Sequence, residues 1–403
     1  MMTLATRKQL IGYQQEMSVE LQSILQYWKT VVANGDDNFY GEVDDGNKPD
    51  PLAPKGIVLF SRILWVFSEA ALFLQDNTCT QKATAAFDFI RDHFIDSQEG
   101  GVYWSVTADG QPLDTKKQVY GQAFCIYGLA AYVAATGNEE ALQLAKSIFL
   151  KVEEYSFDKI NGGYIEAFTA DWKAIEDLRL SEQDANEKKT MNTHLHLVEA
   201  YAALYKVWPD PLLLQKTRQL LTVFEDHIIA KEKDHLHLFL DEQWTPRSTA
   251  RSFGHDIEAA WLLQECAVII KDEAAIDKFQ QMAIQLTDAV IPAIDTDGGL
   301  WYEYDPATNH WIREKHWWPQ AEAMVGFFNA YELTGDKNYL QLSIECWQFV
   351  QQRLKDSERG EWFWGIGPDD TLIKKGKAGF WKCPYHNGRA CMEIIRRTRQ
   401  ILQ

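Results

Sequence analysis

The sequence predicts an all-α protein, a single (α/α)6 barrel over residues 1–403 in which six outer helices surround six inner ones. Two observations lead to this prediction. Short clusters of glycine and aromatic residues divide the chain into six units of similar length. Within a unit, an almost wholly apolar helical pattern is followed by an amphipathic one. A helix that is apolar on every side is buried, whereas a helix with a charged face lies at the surface.

The repeat is measured between equivalent positions of the six clusters. Markers at positions 41, 101, 163, 236, 299 and 361 are separated by 60, 62, 73, 63 and 62 residues. A near-constant period indicates a repeat architecture, so we expect six equivalent units. The clusters are expected to form short strands or hairpins at the active-site mouth of the barrel. They occupy residues 38–41, 100–104, 162–164, 236–239, 298–302 and 361–365.

The helices follow from apolar spacing and from breaks in it. In the second unit, residues 120–135 form an almost continuous apolar run, residues 136–138 (Thr-Gly-Asn) interrupt it, and residues 139–155 resume with apolar positions at helical spacing. The fifth unit repeats this plan, with helices predicted over residues 322–333 and 339–354. The N-terminal stretch 1–21 is predicted to be the first helix.

Composition excludes several classes of partner. The formal net charge of −18 argues against nucleic acid or an anionic membrane, because both require a basic surface. It also disfavours a polyanionic substrate, which leaves neutral small molecules such as sugars. The chain holds 15 Trp, 16 Tyr and 20 Phe, a number that indicates a cleft lined with aromatic rings.

Targeting and redox signals favour the cytoplasm. The N-terminus has no continuous apolar segment of the kind found in signal peptides, and we expect no run of about 18 apolar residues able to span a membrane. The six cysteines are scattered without a CxxC pair, which is typical of buried free thiols in a reducing compartment. We therefore expect a soluble, cytoplasmic protein, and nothing in the sequence requires more than a monomer.

The reactive side chains concentrate at the starts of the predicted inner helices. In a ring of this kind every inner helix begins at the same end, so these starts converge on one cavity. The candidate residues are Arg62, Tyr120, Asn192, His194, His196, His255, Glu258, Trp317, Trp318, Gln320, Glu322, Trp381, Tyr385, His386 and Arg389.

The stretch from Ser252 to Trp261 carries the first candidate for acid/base chemistry. His255 and Glu258 lie three residues apart at a helix start and so leave the same helix face. An imidazole titrates near neutral pH, and a carboxylate can fix its tautomer, which suits general acid/base catalysis. The simplest alternative is that His255 and Glu258 form an ordinary capping pair at the helix start and take no part in catalysis. The reactive side chains at the other inner-helix starts favour a catalytic role for this pair. We expect Glu258 to orient His255.

A metal or nucleotide site has little support. His194 and His196 cannot share a helix face, so only one enters the cavity. We expect that one to be His196 and expect His194 to be a structural hydrogen-bond partner. The HExxH and CxxC spacings of zinc sites are absent, as are GxxxxGK[ST] and a GxGxxG followed by a helix. No cofactor is therefore expected.

Indole rings and a lone arginine complete the candidate site. Trp317, Trp318 and Trp381 precede or begin inner helices, and indole faces complement the C–H faces of sugar rings. Alternatively, these tryptophans only fill the mouth of the barrel and do not contact a sugar. Arg62 heads an apolar helix, and because a buried guanidinium is costly unless paired, we expect it to meet Glu258, another carboxylate or an oxyanion. The lysine-rich segment 374–377 is expected to be a solvated loop.

Taken together, these motifs resemble the cellobiose 2-epimerases of the N-acylglucosamine 2-epimerase superfamily. The matching residues are Arg62, His196, and the runs 254–258 (GHDIE), 317–322 (WWPQAE) and 384–389 (PYHNGR). The similarity covers nearly the whole chain. It implies an (α/α)6 barrel that reversibly epimerises the reducing-end glucose of β-1,4-linked disaccharides such as cellobiose and lactose, without a metal or nucleotide.

The resemblance also implies roles for individual residues. His255 and His386 correspond to an acid/base pair that exchanges the C2 proton on either face of an enediolate. The other positions correspond to a supporting shell, to sugar platforms and to the pocket lining. The supporting residues are His196, Glu258 and Arg62, the sugar platforms are Trp318 and Trp381, and the pocket lining includes Tyr120 and Asn192. Trp317 and Glu322 are added as substrate-binding candidates from their own chemistry, since an indole can stack on a sugar and a flanking carboxylate can bind its hydroxyls.

Three other functions remain open at this point. An aldose-ketose isomerase of the same superfamily shares the enediolate but delivers the proton to C1. A glycoside hydrolase requires two carboxylates that flank the scissile bond, and Glu258 and Glu322 are the only obvious acids here. A non-catalytic sugar-binding protein would bind cellobiose without exchanging its C2 proton.

Overall fold

Outer and inner helices alternate along the chain, as the repeat predicts. The structure, a computed structural model, describes residues 3–35 and 37–403. Odd-numbered helices are outer and even-numbered helices are inner. In chain order they are α1 (Leu4–Tyr27), α2 (Ile57–Leu74), α3 (Asn77–Phe89), α4 (Val119–Thr136), α5 (Glu139–Tyr155), α6 (Met191–Val207), α7 (Pro211–Val223), α8 (Phe253–Ile269), α9 (Glu273–Val290), α10 (Trp317–Thr334), α11 (Lys337–Phe349) and α12 (Tyr385–Leu402).

The inner helices form a closed ring. Each packs against the next from α2 to α12, and α12 packs against α2. The N-terminal helix α1 packs against α12 and supplies its outer partner. The (α/α)6 barrel predicted from the repeat is therefore confirmed.

Short polar turns link each inner helix to the following outer helix. Their Asp or Asn side chains accept a hydrogen bond from a backbone N–H group of the first turn, which satisfies donors that a helix start leaves unpaired. The predicted breaks Gly137 and Gly335 lie at positive φ where inner helices end. The N-cap residues are Asp76, Asn138, Asp210, Asp272 and Asp336.

Short antiparallel strands connect neighbouring units at the helix starts. A two-residue strand directly precedes each of α2, α4, α6, α8 and α10 and pairs with the hairpin of the next unit. A bridge between Val43 and Ala378 joins the last unit to the first. The strands are β1 (Glu42–Val43), β2 (Pro49–Asp50), β3 (Lys55–Gly56), β4 (Ser105–Val106), β5 (Pro112–Asp114), β6 (Lys117–Gln118), β7 (Ala167–Phe168), β8 (Lys189–Thr190), β9 (Phe239–Leu240), β10 (Arg251–Ser252), β11 (Glu303–Asp305), β12 (His310–Ile312), β13 (Lys315–His316) and β14 (Gly365–Ile366).

The predictions about the cysteines and about membrane-spanning segments have different outcomes. All six cysteines are free and buried, as predicted. The expectation that no segment could span a membrane is wrong by length and composition, since Ile57–Leu74 and Val119–Thr136 pass that test. In these two helices, 78% and 72% of the residues, respectively, are buried inside the protein. An inner barrel helix is surrounded by protein, so it can be as apolar as a membrane span.

The segment 374–377 is not wholly solvated, because Lys377 is fully buried. Its ammonium donates to Asp356 Oδ2 at 2.6 Å and to the carbonyl oxygen of Gly360 at 3.0 Å. Similar ion pairs of a buried lysine join Lys117 to Asp96 and Lys189 to Asp158. Lysines next to the inner-helix starts therefore fix the turns that follow the outer helices.

Replacing Asp356 by Asn is expected to destabilise the protein by about 3 kcal/mol, because Lys377 would stay buried without a counter-charge. Lys377 lowers the pKa of Asp356 despite burial, so the pair stabilises the fold above the ordinary Asp pKa and the effect fades in acid. Urea unfolding at pH 7 and pH 3 tests both points. Asp277→Asn, at an exposed site on α9, is the control. An equal loss in both variants would contradict the role of the pair.

Candidate active site

A cleft of about 510 Å³ lies where the inner helices begin. Ten of the eleven residues assigned to the site from sequence line it, and Glu322 alone does not. The volume falls within the roughly 300–1,000 Å³ of small-molecule sites. The ten are Arg62, Tyr120, Asn192, His196, His255, Glu258, Trp317, Trp318, Trp381 and His386.

His386, in the first turn of α12, is held by Glu322 from α10. The distance from its Nδ1 to Glu322 Oε1 is 2.6 Å. Glu322 is only 1% exposed and also accepts hydrogen bonds from Arg389 and Trp261. It therefore lies behind His386 and outside the cleft lining, where it supports the histidine and does not have the sugar contact expected from sequence.

His196 has a carboxylate partner that the sequence analysis missed. Its Nδ1 lies 3.0 Å from Glu199 Oε2, one turn further along α6. Burial raises the pKa of Glu199, but the charge of Arg389 and the hydrogen bond to His196 outweigh it and lower the pKa to about 2. The signal was present in the sequence, since these two residues have the same three-residue spacing as His255 and Glu258.

Arg389 joins three carboxylates beneath the cleft. Its guanidinium donates to Glu199 at 2.6 Å, to Glu258 at 2.6 Å and to Glu322 at 2.8 Å. All four side chains are buried. Burial and then the charge of Glu322 raise the pKa of Glu258 to about 7, against the opposing effect of Arg389. The cluster therefore has a carboxyl group that titrates near neutral pH.

His255 is not oriented by Glu258, which corrects the expectation from sequence. Glu258 turns to Arg389, and the Nδ1 of His255 lies 2.7 Å from Ser252 Oγ. Burial, followed by the charge of His196, lowers the pKa of His255 to about 3. Two side chains on one helix face point in the same direction. Which hydrogen-bond partner each one takes depends on the side chains that neighbouring helices bring close to it.

Of the partners expected for Arg62, the carboxylates are ruled out, because no carboxylate among the described residues contacts it. Its guanidinium donates to the Tyr120 hydroxyl at 2.9 Å and to the carbonyl oxygen of Trp381 at 3.4 Å. The side chain lies across the Phe124 ring at 4.2 Å. Since its neighbours are neutral acceptors, the positive charge is available to an oxyanion in the cleft.

The tryptophans differ in their exposure to the cleft. The ring of Trp318 lies 4.7 Å from that of His255 and 5.6 Å from that of His386. Trp381 lies 6.0 Å from Tyr120 on another side. Trp317 is only 3% exposed and packs on Trp364 at 4.6 Å. Trp318 and Trp381 are therefore better placed than Trp317 to stack on a sugar.

His194 has the structural role expected of it. Its Nδ1 donates to the Thr190 carbonyl oxygen at 2.7 Å, and its Nε2 accepts from the Tyr164 N–H at 3.0 Å. Burial lowers its pKa to about 4, so the ring stays neutral. Both nitrogens are used within the fold, which leaves none for substrate.

Potential metal ligands occur in the cluster, but the Arg389 guanidinium already lies among them. Glu258, Glu322 and His386 bring ligand atoms within 4.8 Å of one another. Arg389 donates to both carboxylates, and Glu322 is also bonded to His386 Nδ1. A cation at this point would meet a guanidinium, so the donor set does not fit a metal.

A second chamber of about 470 Å³ adjoins the cleft. Asn192, His255 and Tyr302 line both cavities, as does part of the loop 180–184. This loop belongs to the third unit, the longest in the sequence. The cleft therefore extends beyond the histidines and has room for more than one sugar ring.

Gly254 allows Trp318 to approach the histidines. A Cβ atom at Gly254 would lie 2.5 Å from Trp318 Cη2 and 2.6 Å from its Cζ3. We expect Gly254→Ala to displace the indole and to raise KM by about 3- to 10-fold, the size of a lost aromatic contact. Steady-state kinetics test this, with Gly388→Ala as control because its Cβ would meet only Val66, at 3.5 Å. Equal KM values in both variants would contradict the prediction.

Comparison with known proteins identifies the family of this chain. The family model for N-acylglucosamine 2-epimerase (GlcNAc 2-epimerase) matches residues 38–390. The cellobiose 2-epimerase of Bacteroides fragilis is 44% identical over 384 residues, which cover 94% of this chain and 98% of that protein.

Solved structures of cellobiose 2-epimerases are also similar to this chain. The cellobiose 2-epimerase of Spirochaeta thermophila is 38% identical, with a TM-score of 0.93 and 100% of both chains covered. That of Bacillus thermoamylovorans is 36% identical, with a TM-score of 0.92 over 96% of this chain and 99% of its own. The protein is thus an enzyme, a sugar 2-epimerase, and the chain belongs to the N-acylglucosamine 2-epimerase family.

Proposed function

We propose that the enzyme reversibly epimerises C2 of the reducing-end glucose in β-1,4-linked disaccharides, converting cellobiose to glucosyl-mannose and lactose to epilactose. The observation that carries this proposal is the pair of histidines, His255 and His386, in one cleft against the ring of Trp318. The adjoining chamber supports a disaccharide as substrate, because it offers room for the second ring.

The chemistry requires removal of the C2 proton on one face, its return on the other face, for which His386 and His255 are the two candidates, and a cation beside O1. After ring opening, removal of the C2 proton forms an enediolate, whose charge must be stabilised in a site that excludes water. His386 suits the base, because Glu322 holds its Nδ1 and stabilises the imidazolium that forms. Arg62 suits the oxyanion, because its described partners are neutral.

Supporting residues surround this centre. His196 contacts the Tyr120 ring at 5.2 Å and is fixed by Glu199, so it can hold a sugar hydroxyl in place. Trp318 and Trp381 offer stacking faces. The proposal needs neither a metal nor a nucleotide, because enolisation here rests on histidines and on a fixed positive charge.

Incubation with cellobiose in D₂O tests the proposal by NMR and product analysis. We expect a glucosyl-mannose product that carries deuterium at C2. A ketose product would instead indicate an aldose-ketose isomerase, and release of glucose would indicate a hydrolase. Binding of cellobiose without exchange of its C2 proton would contradict the assignment of this substrate.

A further inference from the structure

A further cavity, which we call the axial cavity, lies at the end of the barrel opposite the cleft. Its volume is about 80 Å³, and side chains from α2, α4, α6, α8 and α12 line it. None of the described residues lines both the axial cavity and the cleft. Because roughly 10–15 Å³ of such space holds one water molecule, the axial cavity has room for one small organic molecule.

Helix ends give the mouth of the axial cavity a negative potential. Val207 and Ile269 are the last residues of α6 and α8, and Ala134 lies in the last turn of α4. The unpaired carbonyl groups at a helix C-terminus carry about half a negative elementary charge, which favours a bound cation. The catalytic cleft has the opposite polarity, because the inner helices begin there.

Carboxylates reinforce this polarity. The acidic side chains that line the axial cavity are Glu69, Glu199, Glu265 and Glu393, and the basic ones are Lys206, Arg389 and Arg396. Arg389 and Arg396 are ion-paired with three of these carboxylates, and Lys206 is exposed to solvent. Glu265 forms no hydrogen bond or ion pair within residues 3–35 and 37–403. Burial and then the charge of Glu393 raise the pKa of Glu265, as is expected of a carboxyl group without a counter-ion.

Two aromatic side chains form one wall of the axial cavity. The rings of Trp65 and Tyr127 stack at 5.3 Å. Tyr127 is only 9% exposed, yet its hydroxyl has no hydrogen-bond partner in the described chain, so it can accept a hydrogen bond from a ligand. Burial and then the charge of Glu199 raise the pKa of Tyr127, and Glu265 adds to this effect, so the hydroxyl and the unpaired carboxylate lie near each other. Aromatic faces also attract organic cations.

A bare metal ion does not fit the axial cavity. Among the described acidic, histidine and cysteine residues, only Glu258, Glu322 and His386 bring three ligand atoms within 4.8 Å of one another, and none of these lines the cavity. An anion would meet helix C-termini and an unpaired carboxylate. A neutral molecule would leave Glu265 without a counter-charge. The cavity therefore favours an organic cation that carries its own hydrogen-bond donors.

We propose that the axial cavity binds a small alkylammonium ion, whose N–H groups donate to Glu265 and to the Tyr127 hydroxyl while its apolar part packs against Trp65. The ammonium group supplies the missing counter-charge, and the aromatic wall stabilises it further by cation–π attraction. This site is separate from the catalytic cleft, so the inference does not depend on which sugar the enzyme epimerises.

Calorimetric titration of the substrate-free enzyme with tert-butylammonium chloride tests for the site. The comparison ligand is tert-butanol, which has a similar shape without the charge, and NaCl keeps the ionic strength constant. We expect saturable binding of the ammonium ion with an affinity at least about 10-fold higher than that of tert-butanol, because only the cation gains the ion pair and the cation–π contact. Equal affinities, or no saturable binding of the ammonium ion, would overturn the proposal.

NMR of the indole N–H groups tests where the ion binds. The signals of Trp65 and Trp381 are assigned by their absence in Trp65→Phe and Trp381→Phe. The Trp65 signal should shift on addition of tert-butylammonium, whereas the signal of Trp381, which lines the cleft, should not. A shift at Trp381 without one at Trp65 would place the ion in the cleft and overturn the proposal.

Glu265→Gln tests the role of the carboxylate. We expect about 10-fold weaker binding of tert-butylammonium, because the amide lacks the charge. The control is Glu273→Gln, which removes the same charge at an exposed position on α9 outside the cavity. Glu265 has no partner to lose and does not line the cleft, so its variant should fold and epimerise as the wild type does. Binding that is weakened equally in both variants, or in neither, would overturn the proposal.

Discussion

His386→Ala is expected to lower kcat for epimerisation by about 10³-fold, the largest effect of any single cleft substitution. A positioned general base contributes roughly 10² to 10⁴ in rate, and no other imidazole in the cleft combines a carboxylate partner with contact to Trp318. Exchange of the C2 proton in D₂O should fall together with product formation. Loss of both shows that the step removed is proton abstraction.

The fold of the His386→Ala variant should survive, since the substitution leaves Arg389 paired with its three carboxylates. Circular dichroism and thermal unfolding check this. His310→Ala, at an exposed position on β12, controls for histidine loss outside the cleft and should keep full activity. If His386→Ala retained a tenth or more of the wild-type kcat, His386 would not be the base.

The ring of helices was predictable because the repeat encodes it locally. Apolar runs, Gly or Asp breaks and amphipathic runs recur within each unit, and each signal acts over a few residues. A closed ring then places all inner-helix starts at one end, which is why side chains as distant in sequence as Arg62 and His386 were assigned to one cavity. The predicted bounds of the helices were less accurate, since α10 begins at Trp317 and not at residue 322.

Hydrogen-bond partners across the barrel were not predictable in the same way. Arg389 on α12 meets carboxylates from α6, α8 and α10, and these contacts span as many as 190 residues of chain. No local pattern reports which of several acidic side chains a guanidinium reaches. For the same reason Glu258 was assigned to His255, its neighbour on one helix face, although Arg389 holds it in the folded protein.

Replacing Arg389 by Met is expected to reduce the free energy of unfolding by about 3–5 kcal/mol at pH 8, because three buried carboxylates would lose their shared counter-charge. Methionine keeps the length and removes the charge. Chemical unfolding followed by circular dichroism measures the loss. Arg396→Met is the matched control, since Arg396 lies on the same helix but is 39% exposed and should cost about 1 kcal/mol or less.

The loss in Arg389→Met should shrink as the pH falls. Without the guanidinium, burial raises the pKa of the carboxyl groups in the folded state above their unfolded value of about 4.3. Groups with a raised folded pKa favour folding below the unfolded pKa and lose that contribution as the pH rises through the folded pKa. The variant should therefore approach the wild type near pH 4, and adding Glu258→Gln should recover part of the loss at pH 8. A deficit that is constant with pH would mean that packing, and not charge, explains it.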